Sequence, residues 1–205
     1  MPLNSLKAHP FPIDEGLTVL LRPIVPADKE RLREGLAQMS PRTRYLRFFS
    51  SVDRLTEAQL DYLSNPDQVN HVAWGAVDPA DPEHHGLGVA RFIRLKEEPA
   101  VAEMAIAIAD DFQHRGLGRT LLGILYLQAR ERQITALRGI MLPESRAVFR
   151  ALKELGTTVE RQGNIFQLSL PVYSDLAKLP KTPYSERFMR LLRDLNEQLA
   201  LGFNL

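Results

Sequence analysis

The sequence predicts a mixed α/β fold of the α+β kind, with a mostly antiparallel central sheet, flanking helices and an added C-terminal helix. Two observations predict it. Apolar runs of strand length recur at Val69 to Val77, Leu87 to Leu95 and Val101 to Ala109, separated by Asp78 to Gly86 and Lys96 to Pro99, which are rich in Pro, Gly and charge. Links that short favour antiparallel neighbours, because a parallel crossover needs a dozen or more residues. After Ala109 the rhythm changes: Leu117, Leu121, Leu122, Leu125 and Ala129 repeat with helical spacing.

The elements follow in order. Leu17 to Arg22, ended by Pro23, reads as a first strand. Asp28 is placed to cap a helix reaching about Met39, with Leu32 and Leu36 on one face. Ser40-Pro41 opens a short second helix through Tyr45, Leu46 and Phe49. Thr56 and Glu57 start a third, with Leu60 and Leu63 apolar and Asn65-Pro66 closing it. Beyond the meander and the Leu117 helix come a strand at Ala136 to Leu142 and a helix at Glu144 to Leu155, stopped by Gly156. Thr157 to Arg161 and Ile165 to Val172 flank Gln162-Gly163-Asn164 as a hairpin. One domain over residues 17–172 is therefore expected, followed by a tail over residues 173–205. In that tail Thr182 caps and Pro183 starts a last helix, whose Phe188, Leu191, Leu192, Leu195 and Leu199 form one apolar stripe. The stripe must be buried, either on its own domain or in a homodimer interface.

Composition narrows the function. Twenty-six Lys and Arg against 25 Asp and Glu leave a net charge of +1, which asks for neither nucleic acid nor a membrane surface. With no cysteine, the chain has no disulfide, thiolate metal site or cysteine nucleophile. Met1 to Gly16 carries three prolines and no apolar core, unlike a signal peptide, and no apolar run approaches membrane-spanning length. A cytoplasmic, soluble protein is the expectation. Five scattered histidines show no metal-ligand spacing, so no metal is expected, and His84-His85 beside Gly86 reads as a solvated turn.

The chemistry concentrates in Gln113-His114-Arg115-Gly116-Leu117-Gly118-Arg119-Thr120, between a strand and a helix. Backbone N–H groups at a helix N-terminus, together with the helix dipole, favour a phosphate. Gly116 and Gly118 remove side chains where a ligand approaches the backbone, and Arg115 and Arg119 add charge. A P-loop would need Lys followed by Ser or Thr after its last glycine, and none is present. A dinucleotide fingerprint would need glycine at Leu121 and an acidic residue near Met141.

The remaining pattern, Gln-x-x-Gly-x-Gly after a meander strand, resembles the acetyl-CoA signature of the GCN5-related N-acetyltransferases, and the resemblance extends over most of residues 17–172. Met39-Ser40-Pro41-Arg42-Thr43-Arg44-Tyr45-Leu46-Arg47-Phe48-Phe49 and Ala102-Glu103-Met104-Ala105 are similar to segments of the members that acetylate protein lysines. The resemblance implies acetyl-CoA as cosubstrate and an amine acceptor, a protein lysine or a small amine. It implies that backbone groups of Ile106 and Ile108 hold the pantetheine arm, amides from Arg115 to Thr120 hold the pyrophosphate, and the strand end near Met141 and Leu142 flanks the arm. Two positions depart from the family pattern: Ser145 stands where Asn often contacts the coenzyme, and Leu152 where many members place a tyrosine acid. A CoA-binding module without turnover is the alternative class.

Glu103 is the candidate general base. Strand alternation puts Val101, Glu103, Ala105, Ala107 and Ala109 on one face, so a single carboxylate stands among small apolar residues, where burial should raise its pKa. A bulge would disturb that parity. The resemblance points to Glu103 independently, because the lysine-acetylating members use glutamate there. Glu144 is the runner-up base, Asp110-Asp111 reads as a strand stop that caps the turn, and Arg42, Arg44 and Arg47 read as part of an amphipathic helix beside the acceptor cleft.

Overall fold

The strand-forming runs assemble into one eight-stranded sheet in a computed structural model that describes residues 8–48, 54–81, 85–142 and 146–202. In chain order the elements are β1 His9–Pro12, β2 Thr18–Pro23, α1 Lys29–Gln38, α2 Pro41–Phe48, α3 Glu57–Ser64, β3 His71–Val77, β4 Gly86–Arg94 and β5 Val101–Ile108. They continue with α4 Leu117–Glu131, β6 Ala136–Met141, α5 Arg146–Glu154, β7 Thr158–Gln162, β8 Ile165–Pro171 and α6 Pro183–Gln198. The hydrogen-bonded order is β1-β2-β3-β4-β5-β6-β8-β7. β5 and β6 pair in parallel, and the crossover this requires is α4.

The sequence reading missed β1. Its His-Pro-Phe-Pro run pairs antiparallel with β2 from His9↔Leu21 to Pro12↔Thr18. Two prolines argue against a strand, but β1 lies at the end of the sheet, where proline costs no ladder bond on its open side.

Asp28 was also misread. Its side chain makes no cap bond to α1. It accepts from Arg22 Nη1 and Nη2 at 2.6 and 2.5 Å, from the Val25 N–H at 3.0 Å and from Arg31 Nη1 at 3.2 Å. A carboxylate only 1% exposed needs cations more than helix amides, so the ion pair takes it. Burial pushes its pKa up, but the Arg22 bonds and the Val25 amide outweigh burial and hold it below the usual range. The other predicted caps form: Thr56 accepts from the Gln59 N–H, and Thr182 from the Ser185 N–H with Pro183 in the first turn.

Contacts group the chain into two compact units. The first runs through Arg91 and takes in Ile106–Leu122; the second comprises Phe92–Ala105 and the residues from Gly123 on. In the first, Val19, Leu21, Leu60, Val72, Ala76 and Leu117 are buried; in the second, Ile124, Leu125, Leu137, Leu170, Phe188 and Leu192 are.

The tail belongs to the second unit and packs within the chain. Tyr126 meets Phe188 edge to face at 5.5 Å, and Thr182 Oγ1 donates to the Glu154 carbonyl. Phe188, Leu192, Leu195 and Leu199 are buried and Leu191 partly so, so most of the apolar stripe is covered within its own unit. Glycine at position 123 makes this possible, because a Cβ there would lie 2.8 Å from Leu195 Cδ1 and 3.5 Å from Leu191 Cδ2. Gly123→Val is therefore expected to destabilise the protein by about 2 kcal/mol through overpacking, read as a lower urea midpoint. An unchanged midpoint would mean that α6 does not bear on α4.

Candidate functional site

The predicted loop is built from unusual backbone. After the 3-10 turn at Asp110–Phe112, Gln113 is extended, His114 has φ +63° and Gly116 φ +82°. His114 is one of four described non-glycine residues in the left-handed region, a conformation that costs about 1–2 kcal/mol. The first α4 bond runs from the Thr120 N–H to the Gly116 carbonyl, so the amides of Leu117, Gly118 and Arg119 precede any intrahelical partner. Leu117 and Thr120 are buried, anchoring the helix start and leaving only their backbone for a ligand. A Cβ on Gly118 would come no nearer than 4.0 Å to Ile108. Such a helix start offers backbone N–H groups of the kind an anion takes, with the Asp14 carboxylate close to Gly116.

Its cations are partly engaged. Arg115 lies over the Phe112 ring at 5.6 Å. Arg119 Nη2 donates to Asp14 Oδ1 at 3.0 Å, while its Nε is buried with no hydrogen-bond partner. Asp14, in the turn after β1, escaped the sequence reading because nothing in the chain foretells that this turn meets Gly116.

The β5–β6 ladder is short. It runs from Val101↔Ala136 through Ala102↔Leu137 to Glu103↔Arg138, while β6 goes on beside β8 as far as Met141. Among the described residues the ladder ends at Glu103↔Arg138, and Met104 still lies against β6, where a Cβ on Gly139 would come within 3.5 Å of its carbonyl oxygen. Ile106 and Ile108, further along β5, belong to the first unit. Met141 and Leu142 are both buried.

Glu103 stands at the last paired position. The Ala109 N–H donates to the Leu87 carbonyl and the Leu95 N–H to the Val101 carbonyl. Both pairs carry the same offset, so no net insertion separates them, and the alternation expected along β5 is kept. Burial is not: Glu103 is exposed. Among the described residues its carboxylate forms no hydrogen bond or ion pair, and its charge acts on Arg138, its neighbour across the ladder. Three arginines make their hydrogen bonds to other groups. Arg94 serves the Pro99 and Arg132 carbonyls, Arg91 the Leu63 carbonyl and His71, and Arg138 pairs with Glu98 through two bonds of 2.6 and 2.7 Å.

A cleft in the first unit is walled by Leu32, Leu36, Met39, Val89, Ala107 and Ala109, and lined also by Arg22, Asp28, Arg31 and Arg91. Its polar floor was not legible in the sequence. Arg91, 4% exposed, donates through Nη1 to the Leu63 carbonyl at 3.0 Å and meets His71 Nε2 at 3.0 Å. Nε2 must be the acceptor, so His71 is neutral. Burial first, then the Arg91 charge, lower its pKa from 6.5 to about 4. Below pH 6.5 the unfolded chain therefore takes up a proton that the folded protein refuses. Stability should fall between about pH 6.5 and pH 4, by about 1–3 kcal/mol after solvent screening, and this contribution should be lost entirely below pH 4. His71→Gln keeps an acceptor for Arg91 and should flatten that part of the urea-midpoint profile. An equally steep profile in the variant would assign the loss to other groups.

Ser145, Glu144, Phe49 and His84 lie outside the described residues. Leu152, 6% exposed, is a core residue of α5. Tyr126 is no substitute acid: burial pushes its pKa up to about 12, and its hydroxyl accepts from the Tyr173 N–H. His85, read as solvated, is bound by Asp81. Among the described residues no group of His, Asp and Glu could hold a metal ion, and no helix is long and apolar enough to cross a membrane.

A family model described as an acetyltransferase (GNAT) domain matches residues 18–158. "Acetyltransferase Pat" of Mycolicibacterium smegmatis is 32% identical over 157 residues, 75% of this chain and 45% of its own. "Acetyltransferase PA5475" of Pseudomonas aeruginosa is 36% identical over 110 residues, 54% of this chain and 59% of its own. The chain thus spans about half the length of these curated relatives. Among solved structures, the GNAT domain of S. lividans PAT superposes with a TM-score of 0.72 at 26% identity, covering 83% of this chain and 99% of that domain.

Proposed function

The chain belongs to the GCN5-related N-acetyltransferase (GNAT) family, and from that premise we propose that it transfers acetyl from acetyl-CoA to the side-chain amine of a protein lysine by direct attack in a ternary complex. The observation that carries this reading is the exposed Glu103 carboxylate at the last β5–β6 pair, which forms no hydrogen bond or ion pair among the described residues.

A lysine amine, with a pKa near 10.4, must lose its proton to attack a thioester. The exposed Glu103 carboxylate, free of hydrogen bonds among the described residues, accepts it directly or through water. Exposure suits a base that must meet a large acceptor. Backbone amides along β5 stabilise the negative charge that grows on the thioester oxygen. The loop amides from Arg115 to Thr120 hold the pyrophosphate, with Ile106 and Ile108 aligning the arm. The departing CoA thiolate needs little or no acid, in keeping with a buried Leu152 and no tyrosine in α5. The sequence likeness of Ser40 to Phe49 to lysine-acetylating members favours a protein acceptor over a small amine.

Incubating a cell extract with the protein and radiolabelled acetyl-CoA tests this. Acid-stable, lysine-linked label in the protein fraction, lost with Glu103→Gln, is the expected result. Label confined to small molecules would overturn the acceptor. Binding of acetyl-CoA with no transfer at all would identify a regulatory module.

A further inference from the structure

Asp110 does more than stop a strand. It opens the 3-10 turn that leads into the acetyl-CoA loop, and its carboxylate collects the N-terminus of α2, about seventy residues away in sequence. Oδ2 accepts from the Ser40 N–H at 2.8 Å. Oδ1 accepts from Ser40 Oγ at 3.1 Å and from Thr43 Oγ1 at 2.5 Å. Ser40 Oγ in turn accepts from the Thr43 N–H at 3.2 Å, capping α2. Gln113, the first residue of the signature, closes the network: its Nε2 donates to Thr43 Oγ1 and to the Ile108 carbonyl, each at 3.3 Å, and reaches Asp110 Oδ1 at 3.4 Å. The Thr43 hydroxyl, the α2 amide and the serine all hold the Asp110 carboxylate below its usual pKa range.

This arrangement joins two parts of the proposed reaction. On one side are Ile108 and Gln113, which frame the loop; on the other is α2, whose preceding residue Met39 walls the cleft, as does Ala109 beside Asp110. We infer that Asp110 is a positioning residue through which acetyl-CoA bound at the loop sets the placement of α2 against the acceptor cleft. The link is chemically specific. Every neighbour donates to the carboxylate, so an amide, which puts an NH2 group in place of one charged oxygen, must reverse at least one of these bonds and loses the charge that strengthens all of them. A loop drawn onto a pyrophosphate moves Asp110 with it, and α2 follows because its amide, cap and first-turn hydroxyl all end on that carboxylate. The inference rests on acetyl-CoA binding at this loop.

Hydrogen exchange measured with and without acetyl-CoA tests both layers. In the unaltered protein acetyl-CoA should slow the amides of Gly118 to Thr120, and should slow α2 amides from Thr43 to Phe48 by about tenfold. In Asp110→Asn the loop should still be slowed, whereas the ligand-dependent slowing of α2 should vanish. Thr43→Val, which removes the closest donor and leaves the carboxylate, should reduce the α2 response in the same direction and serves if Asp110→Asn fails to fold. A role in folding alone would change the exchange of α2 without ligand but not its response to ligand. An α2 response that persists in both variants, or is absent in the unaltered protein while the loop is slowed, would overturn the coupling. A loop that is not slowed in any protein would overturn acetyl-CoA binding itself.

Discussion

Glu103→Gln is expected to lower kcat by about 10²–10⁴-fold, with the Kd for acetyl-CoA and the thermal midpoint essentially unchanged. The size follows from losing a general base. The selectivity follows from the structure: Glu103 is exposed and its carboxylate forms no hydrogen bond or ion pair among the described residues, so the substitution leaves no buried partner unsatisfied there. Glutamine keeps the length of the side chain and its place at the end of the β5–β6 ladder, so the pairing is kept while proton acceptance is lost. Steady-state kinetics with saturating acetyl-CoA, beside calorimetric titration of the ligand, would separate the terms. Turnover within a factor of about three of the unaltered enzyme would remove Glu103 from the mechanism, since a positioned base contributes far more than that.

Gly116→Val and Gly118→Ala are expected to part company. Position 116 has φ +82°, and a Cβ there would lie 2.6 Å from Asp14 Oδ2. A β-branched side chain in that conformation costs about 1–2 kcal/mol before any contact is counted. Its relaxation would tilt the loop amides and displace Asp14 from Arg119, so Gly116→Val should lose both stability and acetyl-CoA affinity. Position 118 is different, with no heavy atom closer than Ile108 Cγ1 at 4.0 Å to an added methyl. Gly118→Ala should therefore fold as well as the parent or better, by up to about 1 kcal/mol, because alanine loses less backbone entropy in a helix. If the pyrophosphate contacts the bare backbone there, the same variant should bind acetyl-CoA about 10–100-fold more weakly, the equivalent of one or two charge-assisted hydrogen bonds. Stability retained with affinity lost would locate the ligand. Affinity retained in Gly118→Ala would move the pyrophosphate elsewhere on the chain.

Local signals carried much of the architecture. Strand runs, short links and the switch to helical spacing after Ala109 are properties of neighbouring residues, and each produced an element within a few residues of its expected bounds. The glycine turn into α4 was legible for the same reason, since glycine spacing ahead of a helix start is a local pattern. The apolar stripe of α6 announced that it must be buried without announcing where.

What the tertiary structure decided were encounters between distant residues. Asp28 reads as a helix cap until Arg22 and Arg31 converge on it. Glu103 was expected to be buried because its strand neighbours are small, yet burial depends on what the rest of the chain lays over a strand, and the residue is exposed. Asp110 reads as a turn former until α2 arrives with three donors, and Asp14 reads as nothing until its turn meets Gly116. Periodicity and capping act over a few residues and are written in the order of the chain. Ion pairing, burial and the sharing of one carboxylate act through space, and only the folded chain determines which groups are brought close enough to use them.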